Sequence, residues 1–423
     1  MSKADAVLIV GGGLLQAPLV LEAQRLGLLP IVTDRNPQAP AFAHAYEHYM
    51  IDTYDIAKHV ALVKELRSWE PTTGVHLCGV VCCGNDVAPT VAAAAHEAGL
   101  PGIPPEVARL THDKAAVRFA LTGAGLAHYQ PRWLWRQETC TQGLEAEVAE
   151  TCGYPCVVKP LEQRASRGVS IVYERQALAP AVQKAFEYGP SYLVEQCLVG
   201  TEHSAEMIFG LDGAPAWFNV VDRFFCYEDS LALETGHVNP SQLAPRIQDD
   251  IVVMLGEAAQ ALGVTWGPFK ADIMITDDGP KILEVTARLS GGWDCQGTSP
   301  LTGRHPMRAL LQLACGLSID APLTWAPTQG YGACAAILTQ RSGRVVRLPN
   351  RYDTMLWLEN ERMHPGPHIA DIIWAIMEGE NIHPAIHNGE RAGYVLAHAP
   401  TFDEAWQRAK TAADALAESV EIL

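Results

Sequence analysis

Residues Phe269 to Trp293 read FKADIMITDDGPKILEVTARLSGGW, two β-prone runs on either side of Asp277-Asp278-Gly279. Apolar and polar residues alternate with the period of two that a strand imposes. A three-residue loop ending on Gly279 in the left-handed region centres the pairing on Asp278. Asp272 then lies directly opposite Glu284. Ala271, Ile273, Ile275, Leu283, Val285 and Ala287 share one face, and Asp272, Glu284, Thr286 and Arg288 the other. A two-residue Asp278-Gly279 turn would instead send the two carboxylates to opposite faces.

Two carboxylates facing each other across a strand pair repel, so a cation belongs between them. All-oxygen ligands suit a hard ion, and Mg2+ typically takes one or two carboxylates plus phosphate oxygens. Arg288, two positions past Thr286, can hold a further anion on that face. A solvated hairpin face with incidental charges would give the same pattern.

A chain of 423 residues holds two to four domain-sized units. Acidic residues outnumber basic ones, 48 to 31, for a net charge of −17. That balance argues against general affinity for nucleic acid or anionic membranes and leaves ATP binding open, because local charge decides it. The N-terminus lacks a signal-peptide pattern, and no apolar run reaches the roughly 18–20 residues of a membrane span. A cytoplasmic protein is expected. The eleven cysteines are scattered. Cys78, Cys82 and Cys83 cluster without a second Cys/His pair at zinc spacing, so they read as small buried residues in a reducing compartment.

From the N-terminus, the strand Ala6–Val10, the turn Gly11-Gly12-Gly13, a helical pattern over Leu14–Leu26 and the strand Leu29–Thr33 with Asp34 at its end make a βαβ start. The run lacks the third spaced glycine of a dinucleotide fingerprint and reads as a structural turn. Strand signals at Glu47–Ile51 and Gly74–Cys82 alternate with helices at Ile56–Trp69 and Ala88–Ala98, which implies a helix-covered parallel sheet.

Thr111 stands as N-cap of a helix Ala115–Leu121. Lys114 opposes the macrodipole there, a cost that a bound phosphate would offset. Tyr154–Lys159 is a strand ending in a lysine. The segment after it, with Arg164, Ser166, Arg167 and Gly168, reads as a hairpin tip whose backbone donors could clamp phosphate. Ser191–Ile208 reads as strand, connector, strand. The connector offers main-chain groups to a purine edge, and Glu202 is placed to accept from ribose hydroxyls. A helix over Asp250–Leu262 precedes the hairpin.

In this order the stretches resemble the ATP-grasp superfamily of carboxylate–amine ligases, from about Val7 to about Ala415. The resemblance rests on Asp113-Lys114, then Val158-Lys159-Pro160 with its loop, then Val194-Glu195…Gly200-Thr201-Glu202, then Asp272 with Leu283-Glu284-Val285-Thr286-Ala287-Arg288. It implies an α/β and α+β chain: a Rossmann-like N-terminal domain (1–110), a small lobe with a phosphate loop (111–200), a large lobe with the metal site (201–320) and a C-terminal α+β subdomain (321–423). That ending looks like those of L-amino-acid ligases and biotin carboxylase-type enzymes. By position, Lys114 and Lys159 contact ATP phosphates, Lys159 reaching the adenine side as well. Ser166 and Gly168 close over the triphosphate, Glu195, Gln196, Cys197 and Leu198 read adenine, and Glu202 holds the ribose. Asp272 and Glu284 bind Mg2+, or Mn2+ in its place, beside Thr286. Arg288 and Lys159 are the catalytic candidates, with Arg288 stabilising an acyl phosphate.

Two departures stand out. Thr286-Ala287 occupies the place where the family commonly has Asn-Pro, and a hydroxyl is a poorer metal ligand than an amide carbonyl. The loop Leu161–Arg167 is less glycine-rich than usual. Ser290–Ser299 follows the metal site and is the candidate wall of the acceptor pocket; Leu301–Cys315 continues as a helix, where Arg304 and His305 either meet a carboxylate or form a solvated helix start, and Ala333–Leu338 and Asp353–Leu358 read as strand-like.

The activity implied is ATP-dependent joining of an amino-acid carboxylate to an amine, with ADP and phosphate released. The partners are small molecules, with neither nucleic acid nor membrane, and a homodimer is common among the resembling families. Carboxylation through carboxyphosphate is the alternative within the fold. A degenerate, non-catalytic nucleotide-binding protein is the alternative outside it.

Overall fold

The computed structural model describes residues 4–137, 139–161, 166–228, 231–317, 319, 329–349 and 369–423. The buried apolar runs of β1 (Ala4–Val10), β2 (Leu29–Asp34), β3 (Glu47–Met50) and β4 (Val75–Val81) build a parallel sheet in the order β3-β2-β1-β4. Gly11 takes φ 103°, and the Gly12 N–H donates to the Asp34 carboxylate at 2.8 Å. The acid after the second strand thus fastens the glycine turn.

The small lobe is an antiparallel sheet of β5 (Trp133–Arg136), β6 (Cys156–Pro160), β7 (Ser170–Val172) and β8 (Tyr192–Gln196), in the order β5-β8-β6-β7. Arg164 lies outside the described residues. The helix before this lobe runs Lys114–Gly123, and its N-cap is Asp113, whose carboxylate accepts from the Ala115 and Ala116 N–H groups. The expectation of Thr111 as N-cap is corrected here: Thr111 closes the preceding helix and donates its hydroxyl to the Ala108 carbonyl. An aspartate nearer the first turn reaches two open donors, which a side chain two residues earlier does not.

The large lobe is one antiparallel sheet of eight strands. Its members are β9 (Thr201–Phe209), β10 (Pro215–Glu228), β11 (Leu231–Asn239), β12 (Gly267–Thr276), β13 (Gly279–Thr286), β14 (Tyr331–Ile337), β16 (Ile369–Trp374) and β18 (Gly393–Ala399), in the order β13-β12-β9-β10-β11-β14-β18-β16. A satellite sheet joins β17 (Asn381–Ile382), β15 (Gly343–Arg347) and β19 (Glu421–Ile422). β14, β16 and β18, from the expected subdomain 321–423, thus join the sheet of the expected large lobe. Residues Asp353–Leu358, read as strand-like, lie outside the described residues. Helix Pro245–Leu262 buries Ile251, Met254, Leu255 and Ala258 against Ala205, Met207, Ala271 and Ile273. Helix Phe402–Ser419 covers the far end against Ala333, Ala335, Val395 and Ala397. The other face of β9, β10, β12 and β13 is left for polar residues.

The central hairpin reaches its register by a route that differs from expectation. Thr276 pairs with Gly279, so Asp277-Asp278 is a two-residue turn. The ladder proceeds through Ile273 opposite Ile282, then slips by one residue, and Asp272 pairs with Glu284. Leu283 is the extra residue of a β-bulge. Ile282, fully buried, takes the core place expected of Leu283. The slip compensates the shorter turn, and both carboxylates stay on one face.

Gly200 sits where β9 begins beside the end of β12, and a Cβ there would come within 2.0 Å of the Ile275 carbonyl oxygen. Gly200→Ala is expected to destabilise the fold by about 1–3 kcal/mol, the usual range for a forced overpacking, read as a fall in the denaturation midpoint.

Candidate active site

Period-2 alternation sets one polar strip on the open face of the large sheet. Asn219 lies opposite Glu206, Glu206 opposite Lys270, Lys270 opposite Thr286, Ser204 opposite Asp272, and Asp272 opposite Glu284. Arg223 of β10 is the hub of the charged part. Its guanidinium meets Glu202 at 2.6 Å, Asp272 at 2.8 Å and Glu234 at 3.0 Å. Lys270 reaches the same Asp272 oxygen at 2.5 Å, and Arg391 adds a contact to Glu234 at 3.4 Å.

The electrostatics follow from who faces whom. Burial alone would raise the Asp272 carboxyl, but Lys270 and Arg223 outweigh it and hold the pKa below the usual value. Burial likewise opposes ionisation of Glu234, and Arg223 and Arg391 overcome it. Glu202 goes the other way. Burial, with Asp272 and Glu234 as like-charged neighbours, pushes it up to about 7 despite Arg223. A cavity of about 560 Å³ opens beside it, lined by Glu202, Asp222, Arg223, Phe225 and Leu243 among others, a size typical of ligand sites. His203 braces the rim, hydrogen-bonded to Asp222 at 2.7 Å and to Thr201 at 2.8 Å.

The small lobe contributes from above. Lys114 meets Glu284 at 3.2 Å and donates to the Leu161 carbonyl at 3.4 Å. Lys159, at the end of β6, meets Glu195 at 2.6 Å and donates to the carbonyl of bulge residue Leu283 at 3.3 Å. Glu195 is 3% exposed, so its side chain faces the protein interior, and a purine would meet only its main chain. In the connector that follows, the Cys197 N–H is given to the Pro155 carbonyl, Gln196 accepts from Arg132 at 3.2 Å, and Leu198 continues toward Gly200. Ser166 adopts φ 64° and Gly168 φ 72°; a Cβ on Gly168 would strike the Tyr188 ring at 2.6 Å.

Arg288 leaves the strip at its far end and binds Asp86 of the N-terminal domain at 2.8 Å, with a second bond to the Leu289 carbonyl at 3.0 Å. Asp86 holds it charged against the cost of burial. Leu289 bridges Cys83 in parallel, so the loop Ser290–Gly292 runs beside Gly84. Ser290 is clasped twice: its N–H donates to Glu206 and its hydroxyl to Asp294. The expected wall Ser290–Ser299 is a buried turn, with Asp294 also accepting from Asn239 and Ser299 at 3.2 Å each. Arg304 is buried and donates to Asn219 at 2.6 Å. His305 precedes the helix Pro306–Ala314, which starts later than the Leu301 read from sequence.

Lys114, Lys159, Glu202, Asp272, Glu284 and Thr286 thus converge between the lobes, while Arg288 stands at the junction with the N-terminal domain. Sequence reasoning missed Lys270, Arg118, Arg223, Glu234 and Asp86. Lys270 lies two residues before Asp272, and Arg118 one helical turn after Lys114, so periodicity could have found both. Arg223, Glu234 and Asp86 carry no local signal. Among the described residues, no three His, Cys, Asp or Glu side chains form a metal-binding group. The donors are two opposed carboxylates flanked by Lys114, Lys270 and Arg223. Such a set fits Mg2+ that completes its shell with phosphate oxygens and water, rather than an ion caged by protein alone.

An antiparallel small lobe and a large antiparallel sheet enclosing opposed carboxylates and lysines define a nucleotide-binding enzyme of the two-lobed grasp type. Residues 152–296 match the ATP-grasp domain family, and residues 360–421 match the L-amino acid ligase C-terminal domain 2. The chain is 24% identical over 424 residues to a formate-dependent phosphoribosylglycinamide formyltransferase of Pectobacterium carotovorum subsp. carotovorum, covering 97% of this chain and 96% of that protein. It is 32% identical over 152 residues to D-alanine–D-alanine ligase A of Escherichia coli (strain K12), covering 34% of this chain and 41% of that protein. The crystal structure of an L-amino acid ligase from Bacillus licheniformis superposes with a TM-score of 0.72 at 21% identity, over 96% of this chain and 95% of that one. N5-carboxyaminoimidazole synthetase from Staphylococcus aureus superposes equally well, with a TM-score of 0.72 at 14% identity over 98% of each chain. Residues 152–296 are thus an ATP-grasp domain, and the chain is an enzyme of the ADP-forming carbon–nitrogen ligase type. The ATP-grasp domain names ATP as the nucleotide, and the biotin carboxylase domain of Hydrogenobacter thermophilus 2-oxoglutarate carboxylase, solved with MgADP, shares the fold with a TM-score of 0.70 at 16% identity over 100% of this chain and 91% of that one.

Burial pushes the Glu206 carboxyl from 4.5 up to about 8, with Asp294 adding to the shift and Ser290 opposing it. A carboxyl raised on folding contributes stability that is full below its unfolded pKa and is lost as pH rises through the folded one. The denaturation midpoint is therefore expected to fall as pH rises from about 5 to about 8, and Glu206→Gln to flatten that fall. Equal slopes in the two proteins would show that Glu206 is already ionised at neutral pH.

Proposed function

We propose that the protein joins the carboxylate of an amino acid to an amine through an acyl phosphate, with release of ADP and phosphate. The observation that carries this reading is the direct opposition of Asp272 and Glu284, with Lys114 and Lys159 brought onto the same hairpin. The match of residues 360–421 to an L-amino acid ligase domain supports an amino acid as the carboxylate substrate.

In this reading Lys114 and Lys159 hold the nucleotide phosphates, with Ser166 and Gly168 closing over them. The connector Gln196–Leu198 meets the adenine, and Glu202 accepts from the ribose. Mg2+ between Asp272 and Glu284, with Thr286 beside them, would neutralise phosphate charge. A substrate carboxylate oxygen attacks the γ-phosphorus in line, and the bond to the leaving ADP oxygen breaks. Arg288, fixed by Asp86, and Lys159 stabilise the charge on the group in transit. The amine lone pair then attacks the acyl carbon, the bond to phosphate breaks, and the nitrogen gives up its proton. The substrates meet Arg288 near the junction of Gly84–Asp86 with Ser290–Gly292.

The equally good superposition on N5-carboxyaminoimidazole synthetase favours one alternative, in which bicarbonate replaces the organic carboxylate. Among the described residues no helix is long and apolar enough to cross a membrane, and a cytoplasmic location suits the use of ATP.

A pairwise screen of amino acids and amines is expected to show ADP and phosphate release that needs both substrates. Release stimulated by bicarbonate without an amino acid would select the carboxylase reading, and AMP with pyrophosphate would overturn both. Glu284→Gln is expected to abolish turnover with the fold intact by circular dichroism. Arg288→Ala should lower kcat by about 10²–10³-fold, the range seen when one charge-stabilising group is removed, with little change in nucleotide affinity.

A further inference from the structure

One buried cation has no part in the scheme above. Arg118 lies on helix Lys114–Gly123, one turn after Lys114, and is 2% exposed. Its Nε donates to Glu195 at 2.8 Å, Nη1 to the Ile282 carbonyl at 3.1 Å and Nη2 to the Leu283 carbonyl at 2.6 Å. Those two carbonyls flank the slip in the β12–β13 ladder. The guanidinium thus ties the small lobe's Glu195 to the large lobe's bulge, next to Glu284.

Its charge matters as much as its reach. Glu195 is shared by two cations, Arg118 on one oxygen and Lys159 on the other at 2.6 Å. Burial opposes the carboxylate, but the two cations overcome it and hold its pKa below the usual value. Among the described residues the Lys159 ammonium shares its ion-pair partner, Glu195, with Arg118. Burial and the like charge of Arg118 draw its pKa down, and Glu195 offsets this only in part. At this spot three cations, Lys114, Arg118 and Lys159, face two carboxylates, Glu195 and Glu284.

We infer that Arg118 is a positioning residue that occupies Glu195 and so leaves the Lys159 ammonium under-neutralised and available to a nucleotide phosphate. Without Arg118, Glu195 and Lys159 would form a closed pair, and a polyanion would have to break it. In a buried site that competition is strong, because charges there are weakly screened. The inference rests on the reading of Lys159 as a phosphate contact.

The test is calorimetric binding of a non-hydrolysable ATP analogue with Mg2+, on proteins checked for folding by circular dichroism. Arg118→Met is expected to weaken binding by roughly tenfold or more, as loss of one nearby buried charge allows. The double variant Arg118→Met/Glu195→Gln removes the competing anion with the cation, and binding should return to within about threefold of wild type. A merely structural role predicts the opposite, since the double variant loses more native bonds than the single one, and a double variant no better than the single would overturn the inference. Should Arg118→Met fail to fold, Arg118→Lys keeps the charge without the three-way reach. It should bind the analogue nearly as wild type while its denaturation midpoint falls, and a loss of binding of roughly tenfold there would also overturn the inference. Lys159→Met separates this from the underlying reading: analogue affinity untouched by that change would remove Lys159 from the phosphate site, whatever Arg118 does.

Discussion

Two carboxylates placed face to face in a sheet are an unfavourable arrangement that the rest of the molecule supports. Asp272 and Glu284 repel across the ladder, and Asp272 lies in a strip where charge is poorly hydrated. Lys270 and Arg223 hold Asp272, and Lys114 holds Glu284. The geometry depends on a single extra residue. Had the two-residue turn at Asp277-Asp278 run on in perfect register, Asp272 would face position 283, and Glu284 would point to the helix-covered side. The bulge at Leu283 restores the pairing, and its carbonyl becomes an acceptor for both Arg118 and Lys159.

That bulge is also where the lobes are joined by charge. The Glu195 carboxylate is buried with two cations on it, an arrangement that adds little net stability but is costly to break, because removing one partner strands the others. A helix that packs Val117 and Leu121 into the large-lobe core carries Lys114 and Arg118 on its adjoining face. Lys114 and Arg118 are thus fixed relative to Glu284 and Glu195 by packing rather than by loops.

At the other end of the strip the chain turns toward the parallel sheet. Arg288 pairs with Asp86, Leu289 bridges Cys83, and Ser290 is held by Glu206 and Asp294. Three consecutive residues after the hairpin are therefore anchored on two different domains. This sets the Ser290–Gly292 loop beside Gly84.

Residue order alone carried a good deal. Alternation in Phe269–Trp293 exposed a core face and a polar face, and the spacing of Lys114, Lys159, Glu195, Glu202, Asp272 and Glu284 resembled a two-lobed nucleotide fold. The capping of the Lys114 helix was misplaced by two residues, since a threonine and an aspartate are both good caps and only the backbone decides which one reaches the open N–H groups. Residues 321–423 read as a subdomain of their own, whereas β14, β16 and β18 extend the large sheet, because sequence does not say which sheet a strand joins.

What the sequence determined by itself was what a short period carries: the faces of strands and helices, and with them the acidic pair on one polar face. Tertiary structure alone decided the partners far apart in the chain. Asp86 with Arg288, Arg223 with Glu202, Glu234 and Asp272, and Arg118 with Glu195 and the bulge carbonyls all meet through sheet order and lobe packing. The reason is physical: a period reports which side of an element a residue occupies, whereas a charge's partner is set by which elements pack together.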